Sequence, residues 1–400
     1  MPHSVSTPVD ARVHRVVFLL ACAAFVSSVA LRLCDPMLPA LASEFSSTLG
    51  QAALVITATS IAYGVLQLAF GPLGDQFGKL RVVTAACLAS TFGAIACALS
   101  PSLELLALAR GLNGATTAAL IPLSLAWIGD AVSLEHRQAT LARFMSGQII
   151  GLISGQAIGG FFADHFGWRW AFVVLAGLYL LIGMLLYATL RTEHAAAPVV
   201  QPATSQSGRY RQVLANPQAR FILAMICIEA IATFGVMAFI PAYLHTRFGI
   251  SLFHAGVVVA MVGLGGLGYT LFAQRWVKAL GPARLARSGG ILLGLSFLLL
   301  AGGTDWHWAV IACGVMGLGF YQLHNTLQTL ATQMAPAARG TALSLFAFFF
   351  FLGQAIGVSA GALVVDELGA NGLFGASALL LPLTGVVLAR HIKARRRAPI

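Results

Sequence analysis

Apolar residues run along this chain in long blocks instead of alternating with polar ones. Twelve blocks can be marked, at approximately 16–38, 51–71, 80–100, 103–128, 141–163, 168–190, 219–244, 252–274, 284–303, 307–332, 340–365 and 369–390. Each is long enough to cross the hydrocarbon core of a bilayer as a helix, the one single-segment structure there that satisfies its own backbone groups. One long polar break, 191–218, is rich in Pro, Ser, Gln and Ala and has no apolar periodicity. It divides the blocks six and six. The pattern predicts an all-α integral membrane protein, with twelve transmembrane helices in two six-helix pseudo-symmetric bundles. Residues 1–190 form the first bundle, 191–218 a linker, and 219–400 the second bundle with a basic tail.

Composition agrees with a membrane solvent. Of the 400 residues 58% are hydrophobic and 9% charged, against roughly 25% charged in soluble domains. The basic lead of Arg12, His14 and Arg15 before an apolar run is similar to a signal peptide, but the run from Val16 to Leu33 is longer than a signal core and many spans follow it. An uncleaved first helix is expected. The net charge of +11 is explained by topology. Of the 24 Lys and Arg residues, all but Arg32, Arg110, Arg169 and Arg247 fall on the side of the chain that carries the termini. This bias places both termini and the linker in the cytoplasm, facing anionic lipid, and suits a bacterial inner membrane. It leaves no case for nucleic acid. The six cysteines lie inside apolar blocks without CxxC spacing, so no disulfide or metal site is implied. No Walker A loop and no HExxH are present, and no soluble signalling domain is expected. A non-enzymatic membrane protein without an organic cofactor is expected, and a membrane-embedded enzyme or sensor is the weaker alternative.

The halves carry signs of duplication. The string GQAIG occurs at Gly155–Gly159 and again at Gly353–Gly357, in the fifth block of each half. Arg137 also precedes Gly151 by the same spacing as Arg339 precedes Gly353. The two registers differ by one helical turn, so a parallel repeat is expected with its alignment open.

Between the second and third blocks lies Gly71-Pro72-Leu73-Gly74-Asp75-Gln76-Phe77-Gly78-Lys79-Leu80-Arg81. Gly71 and Gly74 would let two helices approach, and Gly78 suits a turn with unusual backbone angles. The loop resembles the signature between spans two and three of the major facilitator superfamily, G-x-L-a-D-r-x-G-r-k-x-x-l. Gln76 and Leu80 replace residues usually basic there. The corresponding stretch of the second half, Gln274 to Arg284, keeps basic residues but has lost the aspartate. The resemblance implies secondary transport by alternating access. It also implies a cytoplasmic gate built on Gly71, Asp75, Gly78, Lys79 and Arg81, with Asp130 as acidic partner.

Charges inside the blocks are costly in hydrocarbon and therefore carry information. Leu108 to Gly114 in the fourth block is similar to the R-x-x-q-G motif of proton-driven antiporters of that superfamily, with Asn113 where Gln is usual. Leu31 to Ala40 ends like the span-one D-x-x-L-P-a-L pattern of its drug:proton antiporters. Arg32 and Asp35 share a helix face, and Asp35 and Arg110 both fall in the outer half by counting. Either Asp35 pairs with Arg110 and opens on protonation, or Arg32 and Asp35 form a local pair. Glu229, near the midplane of the seventh block, is placed to carry a proton or to recognise a cation. These readings make Asp35, Arg110 and Glu229 the proton-coupling candidates. Arg32, Asn113, Gln156, His324 and Asn325 are the substrate-cavity candidates, although a lone intramembrane histidine such as His324 is more often a packed interhelical donor.

Small residues at four-residue spacing in the fifth block, Gly151, Gly155 and Gly159 among them, predict close helix packing. The segment resembles the antiporter signature g-x-x-x-G-P-x-x-G-G, with Gln156 in place of proline. Phe346 and Phe348 to Phe351 either line a cavity or face lipid. The resemblances together imply proton-coupled efflux of drugs or small amphipathic metabolites by a monomer, with the proton as coupling ion. Import, facilitated diffusion and sugar efflux are the alternatives within transport.

Overall fold

The computed structural model describes residues 11–191 and 206–397. Eight continuous helical stretches are long and apolar enough to cross a membrane. Two of them, Leu252–Gly302 and Arg339–Arg397, turn at Gly281 and Gly369 and supply two helices each. The more polar Leu134–His165 and His307–Gln333 complete twelve long helices among the described residues. In chain order these are α1 Ala11–Arg32, α2 Leu49–Phe77, α3 Lys79–Ala98, α4 Leu103–Ala131, α5 Leu134–His165 and α6 Trp168–Arg191. They continue as α7 Pro217–Phe248, α8 252–280, α9 282–302, α10 His307–Gln333, α11 339–368 and α12 370–397.

The expected linker is in part helical. Residues 192–205 lie outside the described residues, but Gln206–Ala215 forms a helix whose Tyr210 hydroxyl donates to the Leu68 carbonyl at 2.9 Å.

Helix boundaries follow local chemistry. Thr48, Ser102, Asn216 and Ser251 cap α2, α4, α7 and α8 by accepting from backbone N–H groups of the first turn. Gly78 and Gly281 take φ of 91° and 69° between α2 and α3 and between α8 and α9, a region that disfavours a Cβ. The loop that has lost its aspartate has therefore kept its turn. The α1 helix stops at Arg32, runs through a turn containing Pro36, and resumes as the short helix Leu38–Glu44. The break leaves Asp35 on non-helical backbone, where its side chain can reach a neighbouring helix.

Backbone proximity organises each bundle. A Cβ at Gly151, Gly155 or Gly159 of α5 would meet the carbonyl oxygens of Phe25 and Val29 of α1 and of Leu33 just after it at 2.4, 3.0 and 2.1 Å. In the second bundle Gly353 and Gly357 of α11 meet the Cys227 and Ile231 carbonyls of α7 at 2.4 and 2.5 Å. The contacts match Gly151 with Gly353, the register of the Arg137 and Arg339 spacing, and reject that of the GQAIG string. The same spacing relates Pro39 to Pro241, each at the start of the short helix that follows the break in the first span of its half. Lipid is as apolar as a leucine side chain, so the helices are held by this contact and by interhelical hydrogen bonds.

Gly71 departs from its expected role. A Cβ there would meet nothing within 4 Å, whereas one at Gly74 would lie 2.5 Å from a Leu123 methyl. Gly74 brings α2 against α4 at this end, and Gly114 does so further along, where a Cβ would lie 2.7 Å from the Thr59 carbonyl.

Gly159→Ala is expected to force α1 from α5 and to cost about 1–3 kcal/mol of stability. Gly177→Ala, where the space is open, leaves stability unchanged. Thermal unfolding of both variants in one detergent checks this.

Candidate functional site

The α1–α5 seam sets the first part of the site. With Gly155 against Val29, the next residue of α5 faces the turn after α1, and Gln156 Nε2 donates to Asp35 Oδ2 at 2.7 Å. Arg32 Nη1 lies 3.5 Å from the same oxygen. Asp35, Gln156 and Arg32 are all buried. The ion-pair partner of Asp35 is thus the local Arg32, not Arg110. The Arg110 Nη2 donates to the Ala30 carbonyl at 3.0 Å, holding the α1 backbone just ahead of Arg32. Asn113, expected at the cavity, donates to the Ser90 carbonyl at 3.1 Å and packs its backbone on Gly93 between α3 and α4.

The second bundle contributes a matching group. Glu229 of α7 is fully buried, and its Oε2 lies 2.9 Å from His324 Nδ1 on α10. The structure thereby joins a proton candidate to a cavity candidate. His324 keeps 17% of its side chain accessible. Its ring stacks on Phe320 with centroids 4.7 Å apart and lies 5.5 and 5.4 Å from Phe346 and Phe350 of α11. Asn325 lies next to the Tyr269 hydroxyl of α8.

Phe234 connects the two parts. The Arg32 guanidinium sits 4.3 Å over its ring, a geometry in which the negative face of the aromatic attracts the cation. Phe234 in turn packs edge-on against Phe320 and Phe350 at 5.0 and 5.1 Å. A chain of contacts therefore runs Gln156–Asp35–Arg32–Phe234–Phe320–His324–Glu229 across the boundary between the bundles. Phe234 stands at the place in the second half that Arg32 holds in the first, by the register of Pro39 and Pro241. That correspondence was readable in the chain, but only with the register known.

Several polar atoms in these residues have no protein partner. They include Asp35 Oδ1, Gln156 Oε1, Glu229 Oε1 and Arg110 Nε and Nη1, along with Thr233 Oγ1 on α7 and Gln354 Oε1 on α11. Unpaired buried groups of this kind are rare away from functional sites. Unpaired acceptors and the unpaired Arg110 donors occur together here, so the buried surroundings hold unmet hydrogen-bonding groups of both kinds. No group of three or more His, Cys, Asp or Glu that could hold a metal occurs among the described residues.

At the end of the molecule that carries the termini, Lys79 bonds directly to Asp130 and lies 3.8 Å from Asp75. Arg81 is exposed and stands apart from this network, contrary to expectation. The network lies within the first bundle and is largely solvated. A G-x-S-x-G string, Gly357 to Gly361, lies within α11. A nucleophile elbow needs a strand-to-helix turn; here the backbone is continuous helix and the Ser359 hydroxyl is 3.2 Å from that of Thr57.

Comparison with known proteins is consistent with this architecture. The family model of the Major Facilitator Superfamily matches residues 20–358. The chain belongs to that superfamily. It is 25% identical to the inner membrane transport protein YnfM of Escherichia coli, over 95% of this chain and 92% of the relative. It is 24% identical to the multi-drug resistance efflux pump PmrA of Streptococcus pneumoniae, over 89% of this chain and 90% of that one. A crystal structure of the peptide transporter POT superposes with a TM-score of 0.77 at 16% identity, covering 94% of both chains, which is a likeness of fold. Membership makes this a secondary transporter of a small molecule, embedded in a membrane, and not an enzyme.

Gln156→Leu is expected to leave Asp35 with one fewer hydrogen bond in a buried site and to cost about 1–3 kcal/mol. Asn113→Leu, acting only between α3 and α4, should alter stability without changing ligand affinity. Unfolding and ligand-binding measurements on the two variants separate these roles.

Proposed function

We propose that the chain exports small amphipathic molecules in exchange for protons. The observation that carries this reading is the pair of buried carboxylates, Asp35 and Glu229, hydrogen-bonded to Gln156 and His324, at the two ends of a path of packed phenylalanine contacts across the bundles. A carboxylate in such a place can hold a proton or neutralise a cationic group, but not both together. Proton and substrate would then compete, which is the requirement for exchange. Protonating Glu229 removes the charge that faces His324. Protonating Asp35 frees Arg32, which already leans on Phe234 of the other bundle. Arg110 positions α1 in this scheme through the Ala30 carbonyl. Likeness to a multidrug efflux pump supports export.

The Lys and Arg bias supports placing both termini in the cytoplasm of a bacterial cell, in the inner membrane. In that orientation the bundles are joined on the external side, which fits an arrangement closed to the outside. Lys79, Asp75 and Asp130 would then belong to the cytoplasmic gate, with Gly78 supplying its turn. The unit that acts is a monomer, since the path lies within one chain.

In proteoliposomes containing an internal pH dye, lipophilic cations, neutral antibiotics and sugars can be compared as drivers of proton movement. One amphipathic class should move protons, and Glu229→Gln and Asp35→Asn should each abolish that movement while leaving substrate exchange without a gradient. Substrate flux with no proton movement in the unaltered protein would overturn the coupling, and a response to sugars alone would overturn the substrate class.

A further inference from the structure

On the face opposite the termini the bundles meet through two carboxylates in matching places of the repeat. Asp164, in the last turn of α5, accepts from the backbone N–H groups of Leu252 and Phe253 at 3.2 and 2.7 Å. These are the first two residues of α8. Asp366, near the end of α11, accepts from the Gly50 N–H at 3.0 Å and from the Thr48 hydroxyl at 2.6 Å, at the start of α2. Asp164 and Asp366 are separated along the chain as Gly151 and Gly353 are, and so are Gly50 and Leu252. The backbones are close beside each contact. A Cβ on Gly160 would lie 2.2 Å from the Leu252 carbonyl, and one on Gly50 would lie 2.7 Å from the Ala362 carbonyl.

The first N–H groups of a helix have no acceptor within it and form the positive end of its dipole. Here their partners are divided in a definite way. Ser251 takes the His254 N–H of α8 and Thr48 takes the Gln51 N–H of α2, each within its own bundle. The N–H groups of Leu252, Phe253 and Gly50 go instead to a carboxylate of the opposite bundle. Separating the bundles on this face would leave these N–H groups and two carboxylates without partners at the same moment.

We propose that Asp164 and Asp366 are the two halves of a symmetric lock that closes this face, and that release of substrate to this side requires both to let go. The inference rests on the alternating-access reading above. Each aspartate belongs to one bundle and clamps the helix start of the other, so the lock acts on the balance between conformations and not on the central network. Two locks on either side of the bundle boundary also resist a partial opening, because one surviving lock keeps the helices in contact.

The test measures distances between nitroxides by pulsed electron resonance. Labels go on Leu105 at the start of α4 and Trp308 at the start of α10, both exposed and in different bundles, in the full chain with its native cysteines replaced. Asp164→Asn and Asp366→Asn should each raise the ratio of long to short distances about tenfold, and the double variant roughly a hundredfold. Gly160→Ala, which pushes the same backbones apart, should shift the ratio in the same direction, and it serves where the double aspartate variant does not fold. A folded double variant that keeps the short distance overturns the lock. So does a folded Asp366→Asn that changes nothing while Asp164→Asn opens the face. The distances are read without substrate or pH gradient, so the result stands apart from the transport assay.

Discussion

Contact between the backbones of α1 and α5, repeated between α7 and α11, is the interaction on which the rest of this structure depends. Four glycines at one-turn intervals, Gly147 to Gly159, let α5 lie on the carbonyl oxygens of α1. With side chains of ordinary size there, the axes would be held apart and Gln156 could not reach Asp35. The second seam sets α11 against α7 in the same way and brings Phe350 to Phe234. In a bilayer no hydrophobic force drives these helices together, so closeness has to be built from small residues. The polar network is possible because that closeness lets every buried charge find a partner.

The bundles repeat one register but differ in chemistry. The first half carries Arg32, Asp35 and Arg110 and holds its charge as a pair beside α1. At the place corresponding to Arg32 the second half has Phe234, and its acid stands five residues earlier at Glu229. The outcome is asymmetric where substrate would bind and symmetric where the bundles close. Asp164 and Asp366 preserve the repeat at the closed face. The turn glycines Gly167 and Gly369 preserve it just beyond them, with φ of 88° and 72°.

Much of the architecture was legible in the chain. Hydrocarbon admits only helices with internally satisfied backbones, so blocks of apolar residues predict spans directly. The expected tenth span, 307–332, differs by one residue from His307–Gln333. The glycine face of α5 was equally readable, because spacing along a helix decides which residues share a face. Less legible were the ends of spans. The α1 helix stops at Arg32, and Gly281 and Gly369 make turns so short that two helices run on almost without interruption.

What the sequence determined by itself was therefore everything that depends on the solvent and on neighbours in the chain. That includes the number of spans, the excess of positive charge on one side, the packing face of α5, and the fact that Asp35, Arg110 and Glu229 must each be partnered. Only the tertiary structure decided who the partners are. Arg110 goes to the Ala30 carbonyl and not to Asp35, Glu229 meets His324 from another helix, and Asn113 is taken up between α3 and α4. It also chose between two repeat registers one helical turn apart. Burial cost depends on a residue's own charge and can be read locally, but a hydrogen bond depends on distance and direction between helices far apart in the chain, and these exist only once the bundles are packed.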